Sequence, residues 1–223
     1  TFLPNNAQLL SGMLRFDPDK KLYNSALLFN DKGDLRGKID KQKLVPFGEY
    51  IPFRQKNFFK NIMLFGNKID ISKGPNTGLL NTKNNIKLKI FICYEIIFPN
   101  LISSQERPNV IINITNDAWF GRTLGPYQHL SQARLRAIEE GLPLVRVANT
   151  GISAAFNYKG ILLGKINLLE KGILDIPLSL KQEITIYSKF RWKITILITL
   201  TLTLFSVFLD ASYLSRQKIK QKF

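Results

Sequence analysis

The stretch "KLKIFICYEIIFP", residues 87–99, places a cysteine directly after a short apolar run. Such a run is typical of a strand that is buried on both faces of a sheet. A second run of this kind, "VIINIT", follows at residues 110–115, and a helical pattern comes after it. Strands interleaved with helices indicate an α/β domain. Cys93 would then lie where a buried strand ends, the position at which α/β folds present functional side chains.

Cys93 is the only cysteine among 223 residues, and His129 is the only histidine. One cysteine excludes an internal disulfide and a thiolate zinc cluster, and one histidine argues against a His-rich metal site. We therefore expect no metal and no cofactor. A free cysteine can also serve as a small buried hydrophobe, so the thiol is either inert or a nucleophile.

Composition predicts a globular chain with one main core. Hydrophobic residues make up 45% of the chain and aromatic residues 11%, which is enough apolar surface to offset chain entropy. The net charge of +16 is compatible with nucleic acid, an anionic membrane or a lysine-rich surface. The sequence contains no aromatic or Cys/His motif for nucleic acid, so we expect no nucleic-acid partner.

Turn signals and apolar patterns predict further elements. A helix should begin near Pro126 and end before Gly141, with Leu130, Ala133, Ala137 and Ile138 on its apolar face. Strands are predicted at residues 9–16, 23–30, 142–148, 152–157 and 161–166, and a last one at residues 172–178 closes the sheet. Residues 50–65 combine aromatic and basic side chains, which indicates a membrane-dipping lid or a helix packed on its own core.

The C-terminal run "WKITILITLTLTLFSVFL", Trp192–Leu209, has the length and apolarity of a membrane-spanning helix. The alternation of Thr with Ile and Leu leaves a strand or a buried helix as alternatives. Basic residues flank the run on both sides, and their count weakly favours a cytoplasmic C-terminus.

A cysteine nucleophile needs a partner, because few thiols are ionised at neutral pH. His129 could act as its base in a Cys/His pair. The segment "DKQKLVPFGEYIP", residues 40–52, offers another set of charges around a rigid Pro/Gly turn: Lys41, Lys43 and Glu49.

Five features in this order carry a family resemblance: "KQKLVPFGEYIP", "CYEIIFP", "NDAWFG", "GPYQHLSQARLRAIEEGLPLVRVANTGISA" and the terminal apolar run. Together they resemble the C-terminal part of the apolipoprotein N-acyltransferases, a membrane branch of the nitrilase (carbon-nitrogen hydrolase) superfamily. The resemblance implies an αββα sandwich, here incomplete at its N-terminal side, followed by one transmembrane helix. It covers nearly the whole chain.

The resemblance also implies a Glu-Lys-Cys triad on the periplasmic side of the bacterial inner membrane. Such an enzyme takes an acyl chain from a phospholipid and gives it to an apolipoprotein amine. Matched by motif, Cys93 is the nucleophile and Lys41 the triad lysine. Glu49, Tyr94 and Glu95 match positions that support the site.

The family's triad glutamate belongs to a "PE" motif, which the resemblance places upstream of Thr1. Since the chain also begins without methionine, we expect an N-terminal part beyond it. The expected division is a catalytic domain at residues 1–180, a linker at 181–191, the span at 192–209 and a basic tail at 210–223. Two other functions stay open: an amidase of the nitrilase type, and a truncated, non-catalytic membrane-anchored fragment.

Overall fold

The computed structural model describes residues 3–53, 69–75, 78–99 and 106–220, with backbone alone for residues 210–220. The chain divides into two compact units, Thr1–Glu183 and Ile184–Phe223. Most of the lid predicted at residues 50–65 falls outside the described residues, so that prediction stays untested.

The first sheet is an antiparallel meander of β1 (Leu9–Phe16), β2 (Leu22–Phe29) and β3 (Leu35–Asp40). The strands β1 and β2 confirm the sequence prediction. The third strand was not predicted, because its sequence "LRGKID" holds three charged residues and a glycine. Only Ile39 of β3 is buried, so the strand carries little of the apolar signal that reveals a strand in sequence.

The second sheet has six strands in chain order. They are β4 (Leu80–Asn81), β5 (Lys87–Ile92), β6 (Val110–Asn116), β7 (Leu144–Asn149), β8 (Ser153–Phe156) and β9 (Leu162–Ile166). The central strands β5, β6 and β7 are parallel, and the outer pairs are antiparallel. Because parallel strands end at one edge, the residues that follow β5, β6 and β7 are brought together there.

Side chains of β5 alternate between two cores. Leu88, Ile90 and Ile92 pack between the two sheets with residues such as Leu28 of β2. Phe91 points the other way and packs with Ala133, Ala137 and other apolar residues under the helix α1 (Gly125–Glu140). The described part of the first unit is thus a helix, a sheet and a second sheet in three layers.

Helix α1 largely follows the sequence prediction. It ends at Gly141, whose left-handed backbone (φ 60°) forms the cap. Ala133 and Ala137 are fully buried, and Leu130 packs against the same core. Ile138 was wrongly assigned to the buried face: its side chain is 41% exposed.

The strand predicted at residues 172–178 is absent from that fully described segment, which has no regular secondary structure. Pro177 removes an N–H donor that a paired strand would need. Its apolar residues cross the sheet instead of extending it: Leu174 and Ile176 lie over Gly164 of β9, and Leu178 packs against the core between the sheets. The segment is still largely exposed, with Ile173 98% exposed, so its apolar pattern indicated neither strand pairing nor full burial.

The second unit contains α2 (Ile186–Phe190) and α3 (Trp192–Lys220). Within α3, Trp192–Leu209 is 18 residues long with a mean hydropathy of 1.9, long and apolar enough to cross a membrane. The hydroxyls of Thr199, Thr201 and Thr203 donate to carbonyls four residues earlier, at 2.8 to 2.9 Å. These bonds satisfy the hydroxyl groups inside the helix. Because the run Trp192–Leu209 is helical throughout, the strand alternative for it is wrong.

Candidate active site

Cys93 directly follows β5 and opens a short 3-10 turn, Cys93–Ile97. Its backbone is left-handed, with φ 54°, which is uncommon for a residue other than glycine. A conformation of this kind costs about 1–3 kcal/mol and persists only where neighbouring groups enforce it. The residue is half-buried, so the thiol is neither sealed in the core nor fully in solvent. A cysteine kept only as a small hydrophobe would need neither feature.

Glu95 joins the cysteine turn to the lysine segment, although 52 and 53 residues separate the partners. One carboxylate oxygen accepts the backbone N–H of Gln42 at 2.6 Å and that of Lys43 at 3.1 Å. The other oxygen accepts the N–H of Ile92 at 2.8 Å. Burial raises the pKa of Glu95 above its usual value, while these backbone hydrogen bonds oppose the rise. The carboxylate therefore fixes the segment after Lys41 against the turn that holds Cys93.

Lys41 is buried, with 1% of the residue exposed, and its ammonium is held by Glu49. The Nζ atom donates to both carboxylate oxygens of Glu49, at 2.8 and 2.7 Å. Glu49 also accepts the N–H of Val45 at 2.8 Å and the side-chain amide of Asn24 at 3.1 Å. The lysine is thus fixed in one place, whereas Lys43, two residues on, is exposed.

Tyr94 is half-buried and packs its ring edge-on against Phe98, with 5.0 Å between the ring centroids. The expected site residues Cys93, Lys41, Glu49 and Glu95 are linked through hydrogen bonds of Glu95 and the ion pair of Lys41. Tyr94 adds an aromatic contact within the cysteine turn.

A buried polar network, Asn113, Asp117, His129 and Arg146, lies behind the cysteine turn. Asp117 lies between Arg146 and His129: Arg146 donates to it at 2.5 Å, and the Nδ1 atom of His129 is 2.9 Å away. Arg146 also donates to the side-chain oxygen of Asn113. Burial alone would raise the pKa of Asp117, but the hydrogen bond with His129 and the charge of Arg146 lower it below the usual value.

This network reaches the cysteine through its backbone. The Nε2 atom of His129 lies 3.3 Å from the Cys93 carbonyl oxygen, and the amide of Asn113 lies 3.5 Å from it. The sequence suggested a pair between His129 and the thiol of Cys93. In the structure, His129 contacts the backbone carbonyl of Cys93 instead. Sequence reasoning missed Asn113 and Arg146, although each is a polar residue inside an otherwise apolar strand, which is the signal that could have revealed them.

A separate cavity of about 670 Å³ lies beside β7, β8 and β9. It is lined by residues 145–150 and 153–155, by Ile166 and by parts of residues 169–178. Neither Cys93 nor Lys41 lines it. Among the residues that the structure describes, no group of three or more His, Cys, Asp or Glu side chains could hold a metal ion.

Cys93 thus lies at a strand end, and Glu95 joins its turn to the segment that follows the buried Lys41. Comparisons with known proteins identify the family. The carbon-nitrogen hydrolase family model matches residues 4–185. The chain belongs to the carbon-nitrogen hydrolase family. Solved members show the same fold at low identity. An amidase from Nesterenkonia sp. AN1, with acrylamide added at its active site cysteine, has a TM-score of 0.58 at 18% identity over 83% of this chain and 66% of its own.

Nit3 of Saccharomyces cerevisiae, a member of the nitrilase superfamily, has a TM-score of 0.53 at 21% identity, over 72% of this chain and 55% of its own. Together with the two facing sheets, these structures confirm the expected nitrilase fold.

Sequence relatives of this carbon-nitrogen hydrolase chain carry a more specific name. Apolipoprotein N-acyltransferase of Rhizobium rhizogenes is 42% identical over 79% of this chain and 34% of its own length. The protein of the same name from Rickettsia bellii is 42% identical over 90% of this chain and 39% of its own length. These relatives confirm the resemblance drawn from the motifs. The chain spans little more than a third of their length.

Proposed function

We propose that this chain carries the catalytic domain of an N-acyltransferase. The enzyme would move a fatty acyl chain from a phospholipid, through a thioester at Cys93, to the N-terminal amine of a diacylglyceryl-modified apolipoprotein. The observation that carries the proposal is the left-handed backbone of Cys93, whose turn Glu95 joins to the segment that follows the buried Lys41. The names of the sequence relatives support the substrate class.

The first half of the reaction would form the acyl-enzyme. A carboxylate base takes the thiol proton as sulfur attacks the ester carbonyl of the phospholipid, and the lysophospholipid alcohol leaves with a proton. The ammonium of Lys41 stabilises the oxyanion of the tetrahedral intermediate, a contribution of roughly 3 kcal/mol for a preorganised donor. Glu49 keeps that ammonium in place.

The second half would transfer the acyl group. The apolipoprotein amine attacks the thioester carbon, the carbon–sulfur bond breaks, and an amide forms while the thiol regains a proton. A cysteine suits both steps, because a thiolate is a good nucleophile and a good leaving group. Glu49 is already engaged with Lys41, so we assign the general base to a glutamate in the part of the longer relatives that has no counterpart in residues 1–223.

We propose that α3 anchors this domain to the bacterial inner membrane, with the domain on the periplasmic side. Arg216, Lys218, Lys220 and Lys222 follow the apolar run, and basic residues of this kind favour the cytoplasmic side of a span. A single crossing would then leave the catalytic unit outside. Phospholipid and apolipoprotein would both reach it at the membrane surface.

A labelled phospholipid tests the proposal in reconstituted vesicles. The protein should acquire a label on the peptide that contains Cys93, and hydroxylamine should release it. Cys93→Ser should fold normally and give no such label. Ammonia release from small amides, without any labelled thioester, would favour the amidase alternative instead.

Lys41→Ala and Lys43→Ala form a matched pair for the role of the lysine. Loss of an oxyanion donor should slow lysophospholipid release about a hundredfold or more, so Lys41→Ala should be nearly inactive. Lys43→Ala should stay close to the wild-type rate, because that side chain is exposed. Equal rates for the two variants would remove Lys41 from the mechanism.

A further inference from the structure

The carbonyl oxygen of Cys93 is the point where three elements of the domain meet. The carbonyl follows β5, the Nε2 atom of His129 reaches it from α1 at 3.3 Å, and the amide of Asn113 reaches it from β6 at 3.5 Å. The same amide donates to the carbonyl of Phe91 at 3.0 Å. Two side chains from different elements therefore contact the backbone of the residue that carries the thiol.

Both donors are themselves fixed. The other ring nitrogen of His129 faces Asp117, and the side-chain oxygen of Asn113 accepts from Arg146. Arg146 and Asp117 join these two ends at 2.5 Å, which closes the network. All four residues are buried. His129 donates to both Asp117 and the Cys93 carbonyl when each ring nitrogen carries a proton, and neither it nor Asn113 can then turn away from that carbonyl without breaking a buried hydrogen bond.

The space around the network is filled as well. A Cβ atom on Gly151 would lie 2.7 Å from the Cβ of Asp117, too close for any side chain. Gly151 has no left-handed backbone, so the close approach of Asp117 is what requires a glycine there. The network is thus held in one arrangement, as a device that sets another group's position needs to be.

We infer that His129 and Asn113 are positioning residues that hold the left-handed backbone of Cys93 and so fix the position of its thiol. The inference rests on the proposed function in one respect, that Cys93 is the nucleophile. Without the two donors, the carbonyl keeps no partner from this network and the backbone relaxes toward an ordinary conformation. The thiol then leaves its fixed place, and misplacement of a reacting atom slows its reactions about 10- to 100-fold.

Alkylation of Cys93 by iodoacetamide tests the inference without any acyl donor. The rate constant is followed by mass spectrometry of the peptide that contains Cys93, on the full chain in detergent. His129→Leu removes the donor, whereas His129→Gln keeps an amide that can donate to the carbonyl. Asn113→Asp sets a carboxylate oxygen against the Cys93 carbonyl. Arg107→Leu is the control, because it removes hydrogen bonds to the carbonyls of Glu140 and Glu183, at the far end of α1.

His129→Leu and Asn113→Asp should react about 10- to 100-fold more slowly than the wild type. His129→Gln should stay within about threefold, and Arg107→Leu should be unaffected, at matched helix content and melting temperature. Rescue by Gln is a result that a merely structural histidine would not give. If His129→Leu does not fold, the alkylation rates of His129→Gln and Asn113→Asp still test the inference.

Wild-type rates in both His129→Leu and Asn113→Asp would overturn the inference, and so would a loss in His129→Gln as large as in Asn113→Asp. The proposed function fails separately: in that case wild-type Cys93 reacts rapidly with iodoacetamide but forms no thioester from phospholipid.

Discussion

Removal of one partner of the Lys41–Glu49 ion pair should destabilise the folded domain by an amount that its burial sets. The ammonium lies 2.8 and 2.7 Å from the two carboxylate oxygens, and both residues are buried. Loss of one partner of a buried pair costs about 3–5 kcal/mol, because the remaining charge stays out of water. The free energy lost in Lys41→Met should lie near 3 kcal/mol, the lower end of this range, because Glu49 keeps its hydrogen bonds from the N–H of Val45 and the amide of Asn24. The free energy lost in Glu49→Leu should lie near the upper end of the range, about 5 kcal/mol.

The double variant Lys41→Met/Glu49→Leu removes both charges and leaves an apolar pair. Its cost should be smaller than the sum of the two single costs by about 2–3 kcal/mol, the coupling expected for contacting residues. Urea unfolding of the detergent-solubilised chain, followed by circular dichroism, gives the four free energies of the cycle. Lys43→Met is the surface control and should change the free energy of unfolding by no more than about 0.5 kcal/mol. Single losses below about 1 kcal/mol with no coupling would refute the argument that this pair fixes the lysine.

Three further predictions concern the groups around the cysteine turn. Asp117→Asn should be less stable than the wild type at neutral pH. The lowered pKa of Asp117 gives the wild type stability that protonation removes, so the difference in melting temperature between the two proteins should shrink as pH falls below the usual carboxyl value of 3.8. A difference that does not change with pH would contradict this. Gly151→Ala should lose about 1–3 kcal/mol by overpacking against Asp117. Gly78→Ala, whose added Cβ would meet no atom of the described residues within 4 Å, serves as the control and should lose less. The stability of the wild type relative to Glu95→Gln should fall as pH rises above 4.5. Burial raises the pKa of Glu95, so the folded state keeps the proton to a higher pH than the unfolded state does. Parallel stability–pH profiles of the two proteins would count against that burial effect.

Sequence reasoning succeeded where one local signal carried the structure. The apolar runs predicted β5 and β6, Gly141 predicted the end of α1, and the terminal run predicted the helix at Trp192–Leu209. It failed where local composition and tertiary role differ. The strand β3 was hidden among charged residues. Residues 172–178 are apolar but form no strand, and only Leu174, Ile176 and Leu178 among their apolar side chains contact β9 or the core between the sheets.

The sequence by itself determined the family and the fold class, and it singled out Cys93, Lys41, Glu49 and Glu95 as motif residues whose roles stay predictions. These follow from the order and spacing of short motifs, which are local properties of the chain. Only the tertiary structure decided that Glu95 joins two segments, that Lys41 is buried against Glu49, and that His129 contacts the carbonyl of Cys93. The physical reason is that these contacts connect strand ends and a helix face far apart in sequence, and only the packed sheet brings them within hydrogen-bonding distance.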